Sequence, residues 1–354
     1  MKYSKVFIEA FGYELAPDVV SSAEIEERLA PVYATLRMHA GQLEAMTGIV
    51  ERRFWPVGSS VARGAAAAGI HALKRSPVPA SEIDVLLYTG VCREGFEPAT
   101  ACDVAAYLRE AGQLLPETAV IHDLGSACLG ALTGMLDLAN RIELGQVRAG
   151  MVVSCESSRE IVDLAIHRMR EQPNADLFRL SIATLTGGSG AVAIVMSDGS
   201  FDTTVPRRRL VGGVQRSAPQ FHRLCRWGME RRGGDGDNTH REFMVTDSVA
   251  VLEHGTALGQ VTWEAFLPEL GWEKTDRVIC HQVGRSHREA ILRMLDIDES
   301  TDFVAYDFLG NTGSVALPLA AALAEERDFL CAGQRVGFLG IGSGLNCMML
   351  GVEW

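Results

Sequence analysis

Apolar runs typical of buried strands alternate along the chain with segments whose apolar residues recur at helical spacing. The first half of this pattern predicts strands near 4–11, 84–90, 117–124, 149–156 and 190–197, and helices near 62–75, 100–111 and 128–144. The second half predicts strands near 208–215, 277–281, 302–307, 335–340 and 345–353, and helices near 246–267, 285–295 and 313–327. The order β-α-β-α-β-α-β-β occurs twice, which predicts a duplicated α/β fold with parallel sheets covered by helices.

The two predicted halves, 1–205 and 206–354, also share a glycine motif. The tripeptide Gly-Ser-Gly at 188–190 and again at 342–344 precedes the final apolar strand of its half. The first half carries an insert at about 157–187 that contains several apolar residues. This insert lines a tunnel, forms a dimer contact or packs as ordinary surface structure, and the sequence leaves these alternatives open.

Four chemically useful side chains follow corresponding strands of the two halves. Glu97 and His281 follow the second strand of each half, and Cys128 and Asn311 follow the third. Glu97 and Cys128 are 31 positions apart, and His281 and Asn311 are 30 apart. Ligands of open α/β sheets bind outside the carboxyl ends of the strands. We therefore expect these four residues to meet at one cleft.

Cys128 lies where an apolar strand turns sharply into an amphipathic helix. A thiol at a helix N-terminus faces unpaired N–H groups and the positive end of the helix dipole, and both favour the thiolate. We therefore expect a nucleophilic cysteine with thiolate character. The alternative is a small core residue, which is the commoner fate of a free cysteine.

Composition narrows the class of protein. The chain has 354 residues, 47% of them hydrophobic, and a net charge of −12, which argues against nucleic acid as a partner. None of its eight cysteines forms a C-x-x-C pair, so we expect no zinc site. We also expect no other cofactor, and we expect the thiols to be reduced. The N-terminus has no signal-peptide pattern and no apolar run is long enough for a membrane span, so we expect a cytoplasmic protein.

Residues 216–244 form the other irregular stretch, rich in glycine and mixed charges. This composition predicts a mobile loop, either a disordered insertion or a cover for a substrate mouth.

The combined pattern resembles the thiolase superfamily, and within it the ketoacyl synthase III branch, over essentially the whole chain. The residues that carry the resemblance are Ser126-Ala127-Cys128, His281-Gln282, the run 310–314 (Gly-Asn-Thr-Gly-Ser) and the run 340–346 (Gly-Ile-Gly-Ser-Gly-Leu-Asn). The chain is most similar to the OleA-type enzymes, which join two long-chain acyl-CoA molecules. The resemblance implies a five-layer α-β-α-β-α thiolase fold and a homodimeric acyltransferase.

The resemblance also implies a role for each candidate. Cys128 is the nucleophile that holds an acyl chain, and His281 and Asn311 donate hydrogen bonds to the enolate of a second thioester. The backbone N–H of Ser343 joins that of Cys128 in an oxyanion hole. Glu97 is the base that removes an α-proton, reaching the site of the partner subunit. These roles predict a non-decarboxylative Claisen condensation.

Two other reactions stay open at this point. A decarboxylative 3-oxoacyl-[acyl-carrier-protein] synthase III takes a malonyl donor and needs no base at Glu97. An acyltransferase without condensation passes the acyl group of Cys128 to another acceptor. The donor is therefore acyl-CoA or an acyl carrier protein.

Four basic residues are candidates for binding the CoA phosphates. Arg285 and His287 stand at the start of a predicted helix, whose N-terminus favours anions. Arg52 and Arg53 form a second basic pair close to Trp55.

Overall fold

The computed structural model describes residues 1–202, 204, 207–231 and 240–354. The strands of the N-terminal half are β1 (Phe7–Leu15), β2 (Asp18–Ser21), β3 (Glu51–Phe54), β4 (Val85–Tyr88), β5 (Val120–Asp123), β6 (Ala149–Glu156) and β7 (Gly190–Ser197). Its helices are α1 (Ser22–Arg28), α2 (Ala30–Leu36), α3 (Gln42–Thr47), α4 (Val61–Arg75), α5 (Thr100–Glu110), α6 (Gly130–Glu143), α7 (Arg159–Glu171) and α8 (Ala175–Leu185).

The strands of the C-terminal half are β8 (Arg208–Ser217), β9 (Cys225–Arg231), β10 (His240–Thr246), β11 (Arg277–Cys280), β12 (Arg335–Gly342) and β13 (Asn346–Glu353). Its helices are α9 (Ser248–Leu270), α10 (Arg285–Met294), α11 (Tyr306–Leu309) and α12 (Ala316–Glu326). The predicted boundary between residues 205 and 206 lies outside the described residues.

Nine of the described strands join in one sheet, in the order β11-β12-β13-β8-β1-β7-β6-β4-β5. The two sides of the sheet repeat one order from the centre outward. β1, β7, β6 and β4 are the first, fifth, fourth and second predicted strands of the N-terminal half, and β8, β13, β12 and β11 are the same four of the C-terminal half. The central pair, β1 and β8, is joined only at Phe7–Arg209 and Ile8–Arg208. The sheet is mixed rather than parallel as predicted, because β7 runs antiparallel to both β1 and β6 and β13 runs antiparallel to both β12 and β8.

The helices form three layers around the two halves of this sheet. α6 and α12 lie in the middle, within one apolar core that takes side chains from both halves. α4 and α5 cover the outer face of the N-terminal half, and α9 and α10 cover that of the C-terminal half. Every residue of β6 and β7 is buried, as expected for strands covered on both faces. The predicted α-β-α-β-α layering is confirmed.

One predicted strand is wrong. Residues 302–307 contribute only an isolated bridge, between Asp302 and Val278, before α11 begins. The carboxylate of Asp302 instead accepts a hydrogen bond from the backbone N–H of Cys280 and pairs with Arg288. This buried ion pair holds the segment beside β11, where the predicted strand would have formed a ladder of backbone hydrogen bonds.

Two further segments build the surroundings of the cleft. The insert forms α7 and α8, which pack against α1 and α2 in a separate apolar cluster. The stretch 216–244 is not simply a mobile loop, because β9 and β10 pair antiparallel from Cys225–Thr246 to Arg231–His240. Its middle, residues 232–239, lies outside the described residues.

Among the described helices, none combines the length and hydrophobicity needed to cross a lipid bilayer.

Candidate active site

Cys128 lies in a single 3-10 turn, Ala127–Leu129, between β5 and α6. Ala127 holds φ at +47°, the left-handed region, so the chain turns sharply just before the cysteine. Gly130 then opens α6 directly against the end of β4, since a Cβ there would lie 2.0 Å from the carbonyl oxygen of Thr89. The requirement for glycine at this close approach fixes the turn and, with it, the position of Cys128.

The surroundings of Cys128 favour the thiol over the thiolate. Burial, together with smaller contributions from the nearby Cys225 and Glu156, raises the pKa of Cys128 to about 12. Backbone hydrogen bonds from Cys128 and Ser343 to the sulfur lower its pKa, but the increase caused by burial is larger. The expectation of a resting thiolate is corrected, because desolvation outweighs the helix N-terminus.

Ser343 lies in the tight turn between β12 and β13, and its backbone reaches the sulfur of Cys128. Gly342 permits this approach, because a Cβ there would lie 3.0 Å from Cγ and 3.2 Å from the backbone nitrogen of Leu129. The backbone N–H groups of Cys128 and Ser343 therefore converge on one point beside the thiol. That is the arrangement of an oxyanion hole.

His281 follows the last residue of β11, and its backbone N–H donates to the carbonyl of Leu339 at 3.0 Å. Burial, with a smaller contribution from His287, lowers the pKa of His281 to about 4. The next residue, Gln282, fixes the loop, because its amide donates to the carbonyls of Cys280 and Phe303. His281 is therefore a neutral imidazole near pH 7, held on a rigid turn.

Asn311 is held between the two halves of the molecule. Its backbone N–H donates to the carbonyl of Thr186 at 2.8 Å, and its carbonyl accepts from Gly188 at 2.9 Å. Its side-chain oxygen accepts from the backbone N–H of Gly313 at 3.1 Å. This last bond orients the amide, so that its NH₂ group is the part that remains to donate to a ligand.

One cavity of about 110 Å³ brings the predicted residues together, with Cys128, His281, Asn311 and Ser343 all in its wall. A larger cavity of about 500 Å³ adjoins it and shares Cys128, Asn311 and Ser343. The insert and the β9–β10 ribbon supply much of the larger wall, which includes Ile161, Ala183, Trp227, Phe243 and Met244. The site is thus a polar centre opening into a mostly apolar space.

Glu97 lies apart from these cavities in its own protomer. It sits on the loop between β4 and α5, where Gly95, Phe96 and Pro98 are exposed with it. The ring of Phe96 is fully exposed, which is unusual for a large apolar side chain. The wall of neither Cys128 cavity includes Glu97.

The four basic candidates divide into two groups. Arg285 is exposed at the start of α10, and His287 lines a third cavity of about 220 Å³ that adjoins the polar centre. Burial lowers the pKa of His287, so it is a weaker phosphate ligand than predicted. Arg52 is fully buried, and among the described residues its guanidinium donates hydrogen bonds only to the carbonyls of Val20 and Leu185.

Arg52 therefore cannot meet a nucleotide phosphate here, and that prediction is corrected. Burial also lowers the pKa of Arg52 to about 10. Arg53, half-buried beside it, donates to the carbonyl of Ala16.

Two residues of the site were missed by the sequence reasoning. Glu156, the last residue of β6, is buried and lines the larger cavity with Cys128. A carboxylate at the carboxyl end of a buried strand is the same signal that singled out the other candidates, so it was detectable. Cys225, the first residue of β9, lines both Cys128 cavities, and no feature of the sequence pointed to it.

Comparisons with known proteins agree with this geometry. Residues 268–354 match the family described as 3-oxoacyl-[acyl-carrier-protein (ACP)] synthase III C terminal. The whole chain is 51% identical to the acyl-CoA:acyl-CoA alkyltransferase of Shewanella oneidensis, and the alignment covers all of both proteins.

Solved structures of a Xanthomonas campestris protein, OleA, are also similar. A cysteine-to-alanine variant superposes with a TM-score of 0.90 at 32% identity, covering 100% of this chain and 98% of that one. A cysteine-to-serine variant holding lauric acid and lauroyl-CoA gives a TM-score of 0.88 at 32% identity, covering 99% and 100%. The fold described above is therefore the fold of these structures throughout.

Proposed function

Because this chain belongs to the OleA family of acyl-CoA:acyl-CoA alkyltransferases, within the thiolase-fold condensing enzymes, we propose that it joins two acyl-CoA molecules by non-decarboxylative Claisen condensation. The observation that carries this proposal is the single cavity wall shared by Cys128, His281, Asn311 and Ser343. The lauroyl-CoA held by the related OleA structure supports acyl-CoA as the substrate class.

The first half-reaction acylates Cys128. Its sulfur attacks the thioester carbonyl, and the backbone N–H groups of Cys128 and Ser343 hold the oxyanion that forms. The carbon–sulfur bond to CoA then breaks, and the thiol proton of Cys128 ends on the departing CoA sulfur. Neutral His281, in the same cavity, is suited to relay that proton because it has a free lone pair.

The second half-reaction forms the carbon–carbon bond. Glu97 removes an α-proton from a second acyl-CoA, and the N–H groups of His281 and Asn311 stabilise the enolate oxygen. The α-carbon attacks the acyl group on Cys128, the carbon–sulfur bond breaks, and a β-ketoacyl-CoA leaves. The Cys128 sulfur departs as a thiolate, and the proton that Glu97 removed returns it to the resting thiol. The oriented amide of Asn311 supports its role as a donor.

We place Glu97 in the site of a partner subunit. Within one protomer it is exposed and outside the walls of the Cys128 cavities. The fully exposed Phe96 beside it supports burial of this loop against a second copy. The active unit is then a homodimer with two composite sites.

The CoA moiety enters through the third cavity. That cavity shares Ala183, Ser248, Val283 and His287 with the polar centre. Arg285, exposed at its wall and at the start of α10, is our candidate for the phosphates. We assign His287 a packing contact along the pantetheine arm, because its imidazole is neutral.

The deciding experiment incubates the purified protein with a long-chain acyl-CoA alone, and follows CoA release and products by mass spectrometry. We expect an acyl adduct on Cys128 and a β-keto product, or the ketone it forms on losing carbon dioxide. Glu97→Ala should keep the adduct and lose the product. A product that appears only when a malonyl donor is added would overturn the proposal.

A second candidate function is a decarboxylative synthase III that takes a malonyl carrier protein. The observation in its favour is the match of residues 268–354 to the synthase III family. It predicts release of carbon dioxide in step with condensation and near-normal activity for Glu97→Ala.

A further inference from the structure

A buried carboxylate connects two loops of the proposed site. Glu156 ends β6 with only 2% of its surface exposed. Its two oxygens accept hydrogen bonds from the backbone N–H groups of Val91 at 2.9 Å and Cys92 at 3.1 Å. It also accepts from the backbone N–H of Ser314 at 3.3 Å and from the hydroxyl of Ser314.

These partners belong to two different halves of the fold. Val91 and Cys92 are the root of the loop that carries Glu97. Ser314 lies in the turn after Asn311, and Gly313 of that turn is in contact with the same carboxylate, since a Cβ there would lie 3.3 Å from its Oε1. One carboxylate therefore fixes both segments relative to the end of β6.

We propose that Glu156 is a positioning residue for carbon–carbon bond formation, holding the root of the Glu97 loop and the Asn311 turn in register. This inference rests on the proposed function. It concerns the second half-reaction, because the groups that act in acylation, Cys128, Ser343 and His281, are not among the hydrogen-bond donors to Glu156.

The chemistry of the four donors calls for a carboxylate. An ionised carboxylate only accepts hydrogen bonds, whereas a glutamine amide turns one of its two positions into a donor. That donor would face either the N–H of Cys92 or the Ser314 side of the cluster, and a buried N–H would lose its acceptor. Among the described residues, no basic side chain forms an ion pair with Glu156, so these donors provide its partners.

The test compares three variants of the full-length protein: Glu156→Gln, Glu156→Asp and Glu26→Gln. Glu26 is a matched control that lines none of the three cavities, a buried carboxylate that accepts from the backbone N–H groups of Gly41 at 2.6 Å and Leu43 at 2.7 Å. Lauroyl-CoA is the probe. Each variant is measured for acyl-Cys128 formation in a single turnover, for β-keto product and for melting temperature.

We expect Glu156→Gln and Glu156→Asp to form acyl-Cys128 at the wild-type rate or faster, and to lose product formation at least about tenfold. Glu26→Gln should lower the melting temperature and leave the ratio of product to acyl-Cys128 unchanged. If Glu156→Gln does not fold, Glu156→Asp tests the inference instead, because aspartate keeps the negative charge and only shortens the side chain.

The pH dependence of Cys128 alkylation by iodoacetamide gives a readout that a purely structural role would not change in this way. The titratable and charged groups that share a cavity wall with Cys128 are Glu156, Cys225, Arg226, His281 and His287. Removing one negative charge in Glu156→Gln should shift the alkylation profile to lower pH, and Glu156→Asp should leave it near wild type.

Equal losses in both half-reactions, or wild-type condensation by both Glu156 variants, would overturn the inference. Wild-type protein that fails to condense acyl-CoA would instead overturn the proposed function, so the two failures are distinguishable.

Discussion

At the scale of single residues, the site rests on two neutral groups. Burial moves the pKa of Cys128 up to about 12 and that of His281 down to about 4. A resting thiolate–imidazolium pair is therefore strongly disfavoured, since both ions would lose solvation in the same cavity. We infer that negative charge on the Cys128 sulfur and on the substrate oxygens appears only during reaction, where N–H donors are already in place to receive it.

The first prediction concerns the thiol of Cys128. Below its pKa of about 12 the thiolate fraction rises tenfold per pH unit, so alkylation by iodoacetamide should rise about tenfold per unit from pH 7 to 10 without a plateau. Peptide mass spectrometry measures this rate, with the exposed Cys331 as an internal reference for reagent decay. A plateau below pH 9 would show that Cys128 is a thiolate at rest.

The second prediction concerns His281 and stability. Its folded pKa of about 4 lies below the unfolded value near 6.5, so between these values the unfolded chain binds more protons at this residue. Its contribution to the free energy of unfolding is therefore fully present above pH 6.5 and is lost as the pH falls towards 4.

Denaturant melts at several pH values measure this effect. His281→Gln should flatten the dependence between pH 6.5 and 4 relative to wild type. The control is His39→Gln, which removes an exposed histidine outside the site. Parallel curves for wild type and His281→Gln would contradict a His281 whose pKa is lowered in the folded protein.

At the residue scale, the sequence predicted which residues form the site better than it predicted their charge and burial. Order and spacing singled out Cys128, His281 and Asn311, the family resemblance added Ser343, and the structure places all four at one cavity. The charge of Cys128 and the burial of Arg52 depend on the atoms packed around them, and no local pattern records those atoms. Both expectations were wrong for that reason.

At the scale of elements, the insert and the β9–β10 ribbon shape the apolar space around Cys128. Ile161 of α7 and Met244 of β10 both line the larger cavity, and they meet again in a small cavity beyond it. Of the alternatives for the insert, the structure favours a lining role. For the described parts of the stretch 216–244, it favours a wall of the cavity, since β9 and β10 are paired and both line it.

The third prediction follows from Ile161. Ile161→Trp should fill part of the larger cavity and reduce kcat/KM for the longest acyl-CoA substrates at least about tenfold, with short chains little affected. A chain-length series from C8 to C18 measures the profile. His167→Trp, on the exposed side of the same helix, is the matched control. An unchanged profile would place the acyl chain elsewhere.

At the scale of the whole molecule, the duplication explains why the site is at the centre. The central helices α6 and α12 begin just after the Cys128 and Asn311 turns. Pairing of the two halves across β1 and β8 brings these helix starts together. Glu97 lies outside the walls of both Cys128 cavities, so one protomer brings together three of the four strand-end residues, and in our proposal a second copy supplies the fourth.

The fourth prediction tests that need. Co-expressed dimers of Glu97→Ala with Cys128→Ala, purified through two tags, should regain about half of the wild-type activity, because one of the two composite sites is intact. Each parent homodimer should be inactive in condensation. Product formation is the measurement.

The control dimer pairs wild type with the double variant Glu97→Ala, Cys128→Ala. It should be inactive if Glu97 acts across the interface, since neither site then holds both groups. The opposite pair of results, an inactive mixed dimer and a half-active control, would place Glu97 in the site of its own subunit.

The sequence by itself determined the order of elements, the duplication and the residue types at the strand ends, because these are recorded in local periodicity and spacing. The tertiary structure alone decided which charge states the site holds, which walls surround it and how Glu156 joins its loops. These properties arise from burial and from contacts between distant segments, such as Cys225 beside Cys128 and Ser314 against Glu156. Desolvation and long-range hydrogen bonding have no signature in the order of residues, so they appear only once the chain is folded.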